Sequence, residues 1–415
     1  MSSIDVSVGP PATTARLSQA GTFAVVAALV VLFMAAAGAP TPLYVVYQKN
    51  WGFSATTLTI VFAVYVAGLL ASLLVVGGLS DHVGRRPVLA AAIALEATSF
   101  VLFLVAGGVP MLLVARVLQG LATGAAITTL SAALVDSVPA HRPGRAGVVN
   151  SVAPVSGLAV GALGAGALVE YAPAPTHLVY AVFLALFVLG GIAVAAMPET
   201  SARRSGAVGS LRPALAVPAR IRIEVLALVP ILLASWSLGG LFFSLGPSVA
   251  ADVLGLHNHL VGGLVVGLLC VPGALTSLLL RSWPVERLVV VAALLLAVGT
   301  ASAVVGVDAG PAVLGVVGTV VAGIGFGAAA LGTFGTYARI AAPHERGALF
   351  AVAYTISYLA FSVPAVAAGL ATTAVGLRPT TVGYGIVVVA LGIVALVAQW
   401  LVAARRRAAA RPALS

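Results

Sequence analysis

The sequence predicts an all-α membrane protein in which twelve transmembrane helices form two pseudo-symmetric six-helix bundles, with both termini in the cytoplasm. Hydrophobic residues make up 61% of the 415 residues and charged residues only 8%, whereas soluble domains are about half apolar and a quarter charged. Apolar stretches of about 20 residues, each long enough to cross a hydrocarbon core roughly 30 Å thick, recur along the chain. Because lipid offers no partners to backbone N–H and C=O groups, such stretches must be helices.

The apolar stretches define the predicted spans and the regions between them. Several spans exceed 22 residues, which implies tilted helices. No cleavage signal stands close to the first stretch, so we expect it to be retained as a signal anchor. The predicted spans are 21–47, 54–79, 87–107, 110–136, 145–169, 176–197, 225–249, 259–280, 287–306, 311–338, 347–371 and 380–403. The predicted regions are a cytoplasmic N-terminal arm at 1–20, a first bundle at 21–197, a cytoplasmic linker at 198–224, a second bundle at 225–403 and a basic cytoplasmic tail at 404–415.

The distribution of basic residues predicts the orientation. Of the 21 Lys and Arg residues, 18 fall in the two terminal segments and in the loops that follow even-numbered spans. Two, Lys49 and Arg378, fall in the other loops, and Arg116 lies within a span. Lys and Arg collect in cytoplasmic loops, which predicts that both termini are cytoplasmic. The same rule accounts for the net charge of +10, and no nucleic-acid partner is expected because no soluble face gathers these residues.

The longest hydrophilic stretch, residues 198–222, divides the chain into two halves. It is rich in Arg and broken by Pro and Gly, as linkers are. A weak repeat supports the division, because "PAHRPGRAG" at 139–147 and "PHERGALFA" at 343–351 each precede the fifth span of their half. Two such halves with a binding site between them are one architecture of secondary transporters. The alternative to a repeat is that these two loops look alike only because both are short and basic.

One loop has a specific pattern, "GGLSDHVGRRPVLA" at residues 77–90, between spans two and three. The pattern is Gly-x-x-x-Asp-x-x-Gly-Arg-Arg, formed by Gly77, Asp81, Gly84, Arg85 and Arg86. It resembles the loop signature of the major facilitator superfamily. This chain has His82 at a position where the family usually has Arg. Twelve spans, two halves and a central linker extend the resemblance to the whole chain. The second-half counterpart, residues 279–290, keeps only Glu286 and Arg287.

The resemblance implies that this loop is a conformational latch. Asp81 would meet the positive N-terminus of span eleven, near Gly347, in the outward-facing state and leave it in the inward-facing state. Gly77 permits close helix contact, Gly84 permits a tight turn, and the two Arg residues can pair with acids. The positive-inside rule alone would explain both Arg residues, but it explains neither Asp81 nor the glycines. A tolerated substitution and a pH-sensitive latch both stay open for His82.

Two ionisable residues within spans are candidates for proton coupling. Arg116 in "ARVLQGLATGAA" resembles the Arg-x-x-x-Gly signature of helix four, to which the family gives a role in proton coupling; an Arg reaching toward the interface is the alternative. Glu96 is the one acid well inside a span. Spans three and four are consecutive, so the two side chains are expected to approach each other near mid-membrane. Glu96 is then a proton carrier, a structural partner of Arg116, or a protonated acid packed against helices.

Span five carries small residues at helical spacing, which predicts close packing against a neighbouring helix. The glycines are Gly157, Gly161, Gly164 and Gly166. They partly resemble the helix-five motif of bacterial drug–proton antiporters. The chain departs from that motif at Ala162, where Pro is expected, and at Ala165, where Gly is expected. General close packing explains the glycines equally well.

The resemblance implies that a central cavity is lined by spans 1, 2, 4, 5, 7, 8, 10 and 11. Aromatic and polar residues on these spans are candidates for substrate contact, with plain helix packing as the alternative. The first choices are Trp236, Tyr354 and Tyr358, followed by Tyr44, Asn150 and Phe334. Tyr354 and Tyr358 are four residues apart and share one face. Tyr44 can also act as an anchor at the membrane interface.

Taken together, the residues favour a monomeric secondary transporter in the plasma membrane of a bacterium, with a small-molecule substrate, protons and the lipid bilayer as partners. Aromatic walls with few fixed charges favour proton-coupled export of an amphipathic or drug-like solute; a proton-coupled importer of a sugar or organic acid is the alternative.

No cofactor is expected, and an enzyme is disfavoured because no His/Asp/Glu or Ser/His cluster stands within the spans. No Walker motif is present, and one Cys, Cys270, forms no disulfide within the chain. A channel is disfavoured because two halves with one asymmetric latch favour a rocking motion.

Overall fold

Helices dominate the computed structural model of the chain, which describes residues 17–139, 144–201, 204–213, 215–310, 312–342 and 344–410. Within these ranges, twelve helical segments are long and apolar enough to cross a membrane. Helix α1 has two parts, Gln19–Gly38 and Leu43–Trp51. The others are α2 Ala55–Val76, α3 Arg85–Leu104, α4 Val109–Ser137, α5 Arg145–Tyr171, α6 Pro175–Ala196, α7 Arg222–Ser244, α8 His259–Leu279, α9 Val285–Ala309, α10 Ala312–Ile340, α11 Arg346–Val375 and α12 Leu377–Ala410. The predicted arm at 1–20 and tail at 404–415 lie partly outside the described residues, and α12 continues to Ala410, past its predicted end at residue 403.

Local chemistry explains where several helices begin and break. Proline has no backbone N–H to donate, and α1 is interrupted at residues 39–42, which contain Pro40 and Pro42. Ser18 and Ser54 accept hydrogen bonds from the first turns of α1 and α2. The predicted seventh span runs to residue 249, whereas α7 ends at Ser244 and the chain continues through a short turn with Pro247 into a π-helix, Val249–Val253.

The helices pack as two similar bundles, α1–α6 (the first half) and α7–α12 (the second half). In the first half α1 packs on α5, α2 on α4, α3 on α4, and α3 on α6. The same four pairs recur six helices later, as α7 on α11, α8 on α10, α9 on α10, and α9 on α12. This correspondence confirms the two predicted pseudo-symmetric halves. The main contacts between the halves are made by two pairs of helices, α5 with α8 and α2 with α11.

The two faces of the bundle differ in charge. On one face the linker after α6 contacts both the start of α3, where the backbone N–H of Arg85 donates to Glu199, and the end of α10, where Arg220 donates to the carbonyl of Ile340. We call this side the Arg-rich face and the other side the opposite face. That the Arg-rich face is cytoplasmic stays a prediction from the loop charges.

Candidate functional site

The two halves meet tightly at the opposite face through α5 and α8. A Cβ added to Gly166 would lie 2.9 Å from the carbonyl oxygen of His259, and one added to Gly263 would lie 2.4 Å from that of Ala162. One turn beyond Gly166, the Glu170 carboxylate accepts a hydrogen bond of 2.8 Å from the His259 backbone and lies 2.9 Å from its Nδ1. Small residues and one polar pair therefore join the halves at this face.

Helices α2 and α11 close the same face on the other side of the molecule. The Thr56 hydroxyl donates to the carbonyl of Gly369 at 3.1 Å, and a Cβ on Gly369 would overlap the Thr59 side chain. The end of α1 contributes as well, because Gln48 accepts a hydrogen bond of 3.4 Å from Ser248. The opposite face is thus sealed by both pairs of helices.

At the Arg-rich face the halves separate around a cavity of about 650 Å³. It lies between the first turns of α5, the last turn of α8 and the middle of α10. Its lining residues are Gly144, Arg145, Gly147, Val148, Ser151, Ser277, Arg281 and Leu331. A structure sealed at one face and open between its halves at the other has the geometry of one end state of alternating access.

Aromatic residues from both halves meet at the interface. Trp236 packs edge-on against Tyr358, with ring centroids 5.0 Å apart, and against Phe361 at 5.7 Å. Phe62 of the first half lies 5.0 Å from Phe361 of the second half. These rings form an interface aromatic cluster, which we define as Phe62, Phe334, Phe350, Tyr354, Tyr358, Phe361 and Trp236.

Four of the six predicted cavity residues belong to this interface aromatic cluster, and none of the six is among the residues that line the cavity at the Arg-rich face. Phe334 lies 5.1 Å from Tyr354, which lies 6.2 Å from Tyr358, and all three are half-buried, as is Trp236. The other three members, Phe62, Phe350 and Phe361, were not predicted. The spacing of Phe350 and Phe361 with Tyr354 and Tyr358 follows one face of a helix, and this periodicity was the available signal for those two.

The other two predicted cavity residues lie elsewhere. Tyr44 is 1% exposed and belongs to the apolar core of the first half, beside Tyr47, whose hydroxyl donates to Tyr180 at 3.1 Å. Asn150 is half-buried on α5, next to Ser151, which lines the cavity at the Arg-rich face. The structure therefore places neither side chain in the interface aromatic cluster.

Arg116 and Glu96 are both buried in the first half, and Gln119 links them. The Arg116 guanidinium donates to Gln119 Oε1 at 2.5 Å and stacks over the Tyr65 ring, 4.1 Å from its centroid. The Gln119 amide donates to Glu96 Oε1 at 3.3 Å and to the carbonyl of Ala36 at 3.0 Å. The other carboxyl oxygen, Glu96 Oε2, has no hydrogen-bond partner among the described residues. The side chains of Arg116 and Glu96 are therefore joined through the side-chain amide of Gln119, which lies one turn after Arg116 on α4.

The loop at 77–86 forms a polar network with the rest of the first half and with the linker. Arg85 pairs with Asp81 at 2.5 Å and with Asp136 at 3.1 Å. The backbone N–H groups of Arg85 and Arg86 donate to the Glu199 carboxylate, at the N-terminus of α3, where a helix dipole favours negative charge. Gly84 has φ of 111°, a conformation that favours glycine.

The linker folds over this loop. The backbone N–H of Arg204 and the Ser201 hydroxyl donate to the carbonyl oxygen of Asp81, at 3.1 and 3.3 Å. His82 Nδ1 lies 3.1 Å from the carbonyl of Arg204 and 3.0 Å from that of Ser205. His82, which stands where the signature usually has Arg, therefore contacts the linker.

The second half carries a reversed version of the same ion pair. Glu286, at the start of α9, pairs with Arg339, near the end of α10, at 2.5 Å. Arg85 and Asp136 occupy the equivalent places on α3 and α4. The second-half counterpart of the loop signature therefore keeps an ion pair between equivalent helices, with the acidic and basic positions exchanged.

The predicted packing glycines face two different neighbours. A Cβ on Gly161 would lie 1.9 Å from the carbonyl oxygen of Ala35, and one on Gly157 would lie 2.6 Å from Met34 and Val31, so both face α1. Gly166 faces α8, and Gly164 has no atom within 4 Å of its Cβ position. One helix thus joins α1 within the first half and α8 across the interface.

Comparison with known proteins identifies the family and the fold. A sequence model of the Major Facilitator Superfamily matches residues 25–365. The xylose transporter XylE from E. coli, in a partially occluded inward-open conformation, has a TM-score of 0.72 at 15% identity, over 92% of this chain and 97% of that chain. A bacterial homologue of the human lysosomal transporter Spinster, in an inward-facing and unoccupied conformation, has a TM-score of 0.73 at 12% identity, with the same shares of the two chains covered. Since the sequence model matches most of its length, the chain belongs to the Major Facilitator Superfamily and has the fold of its transporters.

Proposed function

We propose that the protein is a secondary active transporter that exports a small amphipathic or drug-like solute by alternating access, driven by protons, across the plasma membrane. The observation that carries the proposal is the interface aromatic cluster, in which Phe62 of the first half packs against rings of the second half. Aromatic rings at such a place offer flat apolar contact to a solute that both halves must hold in turn. With the Arg-rich face in the cytoplasm, the open cavity faces the cell interior.

A transport assay tests this function directly. The purified protein is reconstituted in liposomes, a pH gradient is imposed, and the flux of neutral and cationic aromatic dyes, organic acids and sugars, xylose included, is followed. We expect gradient-dependent movement of at least one aromatic amphipath. Flux of sugars or organic acids with no flux of any aromatic amphipath would support the importer alternative and contradict drug export.

Replacing Trp236 with alanine is expected to weaken the apparent affinity for the transported dye about tenfold, since the dye then loses the apolar surface of an indole ring that Tyr358 and Phe361 hold edge-on. The measurement is KM for the flux described above. Trp400→Ala is the matched control, because Trp400 is 68% exposed on α12. Equal KM values for the two variants would show that the interface aromatic cluster is not part of the binding site.

Proton coupling is assigned to the buried network of Glu96, Gln119 and Arg116. Glu96 Oε2, which has no partner among the described residues, is the atom at which a proton would be taken up. Arg116 lies on the far side of Gln119 and stabilises negative charge on the carboxyl group. In this scheme the charge of Glu96 changes during the cycle while Arg116 stays charged.

Glu96→Gln is expected to abolish proton coupling while the protein still folds, because glutamine keeps an oxygen that can accept from Gln119 but cannot carry a proton. Substrate exchange without a gradient should persist, and gradient-driven accumulation should fall at least tenfold. The comparison of these two fluxes is the measurement. Unchanged accumulation would assign Glu96 a structural role only.

Asp81→Asn is expected to slow transport at least tenfold and leave substrate affinity within about twofold, if the loop is the conformational latch that the signature implies. In this structure Asp81 pairs with Arg85 and is half-exposed, so the carboxylate is available to a new partner when the halves rock. Flux and equilibrium binding of the dye are both measured. Asp252→Asn, an exposed change beyond α7, is the control. Flux at the wild-type rate in Asp81→Asn would exclude the latch role.

A further inference from the structure

A second cavity, of about 270 Å³, lies inside the second half near the opposite face. It is surrounded by α7, α8, α9, α10 and α12 and by the segment after α7 that contains the π-helix. Among the residues that the structure describes, none from the first half and none from α11 lines it, so it is separate from the cavity between the halves. Its walls are almost entirely apolar, with side chains such as Leu241, Val265, Leu268, Val304 and Val307.

The cavity arises because α8 and α10 diverge toward the opposite face. Nearer the Arg-rich face the two backbones touch, since a Cβ on Gly327 would lie 2.1 Å from the carbonyl oxygen of Gly273. Toward the opposite face, Leu264 of α8 and Val316 of α10 line the cavity and are 40% and 47% exposed. Exposed apolar side chains on the outside of a membrane helix face lipid, so the cavity opens sideways into the bilayer.

Polar groups near the cavity are few. The hydroxyls of Thr319 and Thr381 donate to carbonyls of their own helices, whereas the Thr300 hydroxyl is buried without a partner among the described residues. Arg378 is exposed one turn before Thr381 on α12, and its guanidinium donates to the backbone carbonyl of Asp308 at 3.4 Å. A cation therefore stands at the end of the cavity where a lipid headgroup would lie, with the exposed Asp308 as the neighbouring acid.

We propose that this cavity binds one acyl chain of a membrane phospholipid whose phosphate contacts Arg378. An apolar cavity does not hold water, and an unfilled one forfeits packing contacts, so the hydrocarbon at its mouth is the natural occupant. The volume is close to the lower end of the range for ligand pockets, roughly 300–1,000 Å³. The site is independent of the transported substrate and does not rest on the function proposed above.

Photolabelling of the full-length protein tests the proposal. The protein is reconstituted in vesicles containing a phosphatidylglycerol with a diazirine in its acyl chain, irradiated, and mapped by peptide mass spectrometry. We expect adducts on Val265 and Val304, which face the cavity, besides those on lipid-facing side chains. Adducts confined to outward-facing residues such as Val313, which is 76% exposed, would overturn the proposal.

A variant that fills the cavity tests whether the labelled lipid lies inside it. A Cβ on Gly315 would meet only the Gly306 Cα, at 3.8 Å, so Gly315→Leu can project into the cavity; it should reduce labelling of Val265 and Val304 at least fivefold. Gly383→Leu, on the exposed side of α12 with no atom within 4 Å, is the matched control and should leave labelling unchanged. Equal labelling in the two variants would overturn the site.

Two further changes test the two ends of the ligand. Thr300→Val should leave labelling unchanged or raise it, because a hydrocarbon chain makes no hydrogen bond; a loss of labelling would overturn the acyl-chain assignment. Arg378→Gln should reduce labelling of Val304 at least threefold. Unchanged labelling in that variant would overturn the headgroup contact.

Discussion

Gly161→Leu is expected to destabilise the first half by about 3 kcal/mol or more, with a clear fall in the melting temperature of the purified protein. The Cβ alone would stand 1.9 Å from the carbonyl oxygen of Ala35, so α1 and α5 must move apart along a contact that both helices need. Flexible side chains can shift to accept a new methyl group, but a backbone carbonyl cannot. The measurement is thermal unfolding in detergent, followed by intrinsic tryptophan fluorescence.

The control for this prediction lies three residues away on the same helix. Gly164 is exposed and has no atom within 4 Å of its Cβ position, so Gly164→Leu adds the same side chain to the same helix without a clash. It should melt at or slightly above the wild-type temperature, because leucine also favours helix more than glycine does. Similar melting temperatures for the two variants would show that α1 and α5 do not pack as described.

Gly166→Leu is expected to act on the conformational equilibrium rather than on folding. Its Cβ would meet the His259 carbonyl oxygen at 2.9 Å, across the contact that seals the opposite face. In the proposed cycle of alternating access that contact exists only while the face is closed, so the variant would penalise one state. A penalty of about 2 kcal/mol changes the ratio of two states roughly 30-fold. We therefore expect a population with an open opposite face and a flux reduced at least tenfold.

Distances between spin labels at residues 171 and 256 measure this shift. Tyr171 and Leu256 are exposed at the opposite face, one in each half, and Cys270 is buried and can be replaced beforehand. Gly166→Leu should lengthen the distance, and Gly164→Leu should reproduce the wild-type distribution. An unchanged distance together with a lowered melting temperature would assign Gly166 to ordinary packing.

These glycines show what a sequence pattern leaves open. Their spacing predicts close packing of α5, but Gly161 packs within the first half, Gly166 packs between halves, and Gly164 packs against nothing described. The sequence does not distinguish them, because helical spacing places residues on faces without naming the helix that each face meets. The energetic consequences of the same substitution therefore differ from one glycine to the next.

The polar residues give a similar lesson. The sequence predicts that Glu96 and Arg116 approach each other, and the structure inserts Gln119 between them, one helical turn along α4. It also predicts Trp236, Tyr354, Tyr358 and Phe334 at the cavity, and the structure places all four in one interface aromatic cluster but none in the lining of the cavity at the Arg-rich face. Tyr44 occupies the core of the first half instead, because α1 breaks just before it.

The number of helices, the division into halves and the charge of the loops follow from the sequence by itself, because each depends on a local property: twenty apolar residues, a Pro- and Gly-rich linker, or a cluster of Arg. Which helix touches which, and which face is sealed, only the tertiary structure decides. The physical reason is the solvent. Lipid is as apolar as the protein interior, so a helix that is hydrophobic all round carries no hydrophobic stripe to mark its inner face. Small residues and buried polar groups determine the contacts, and their partners lie far away along the chain.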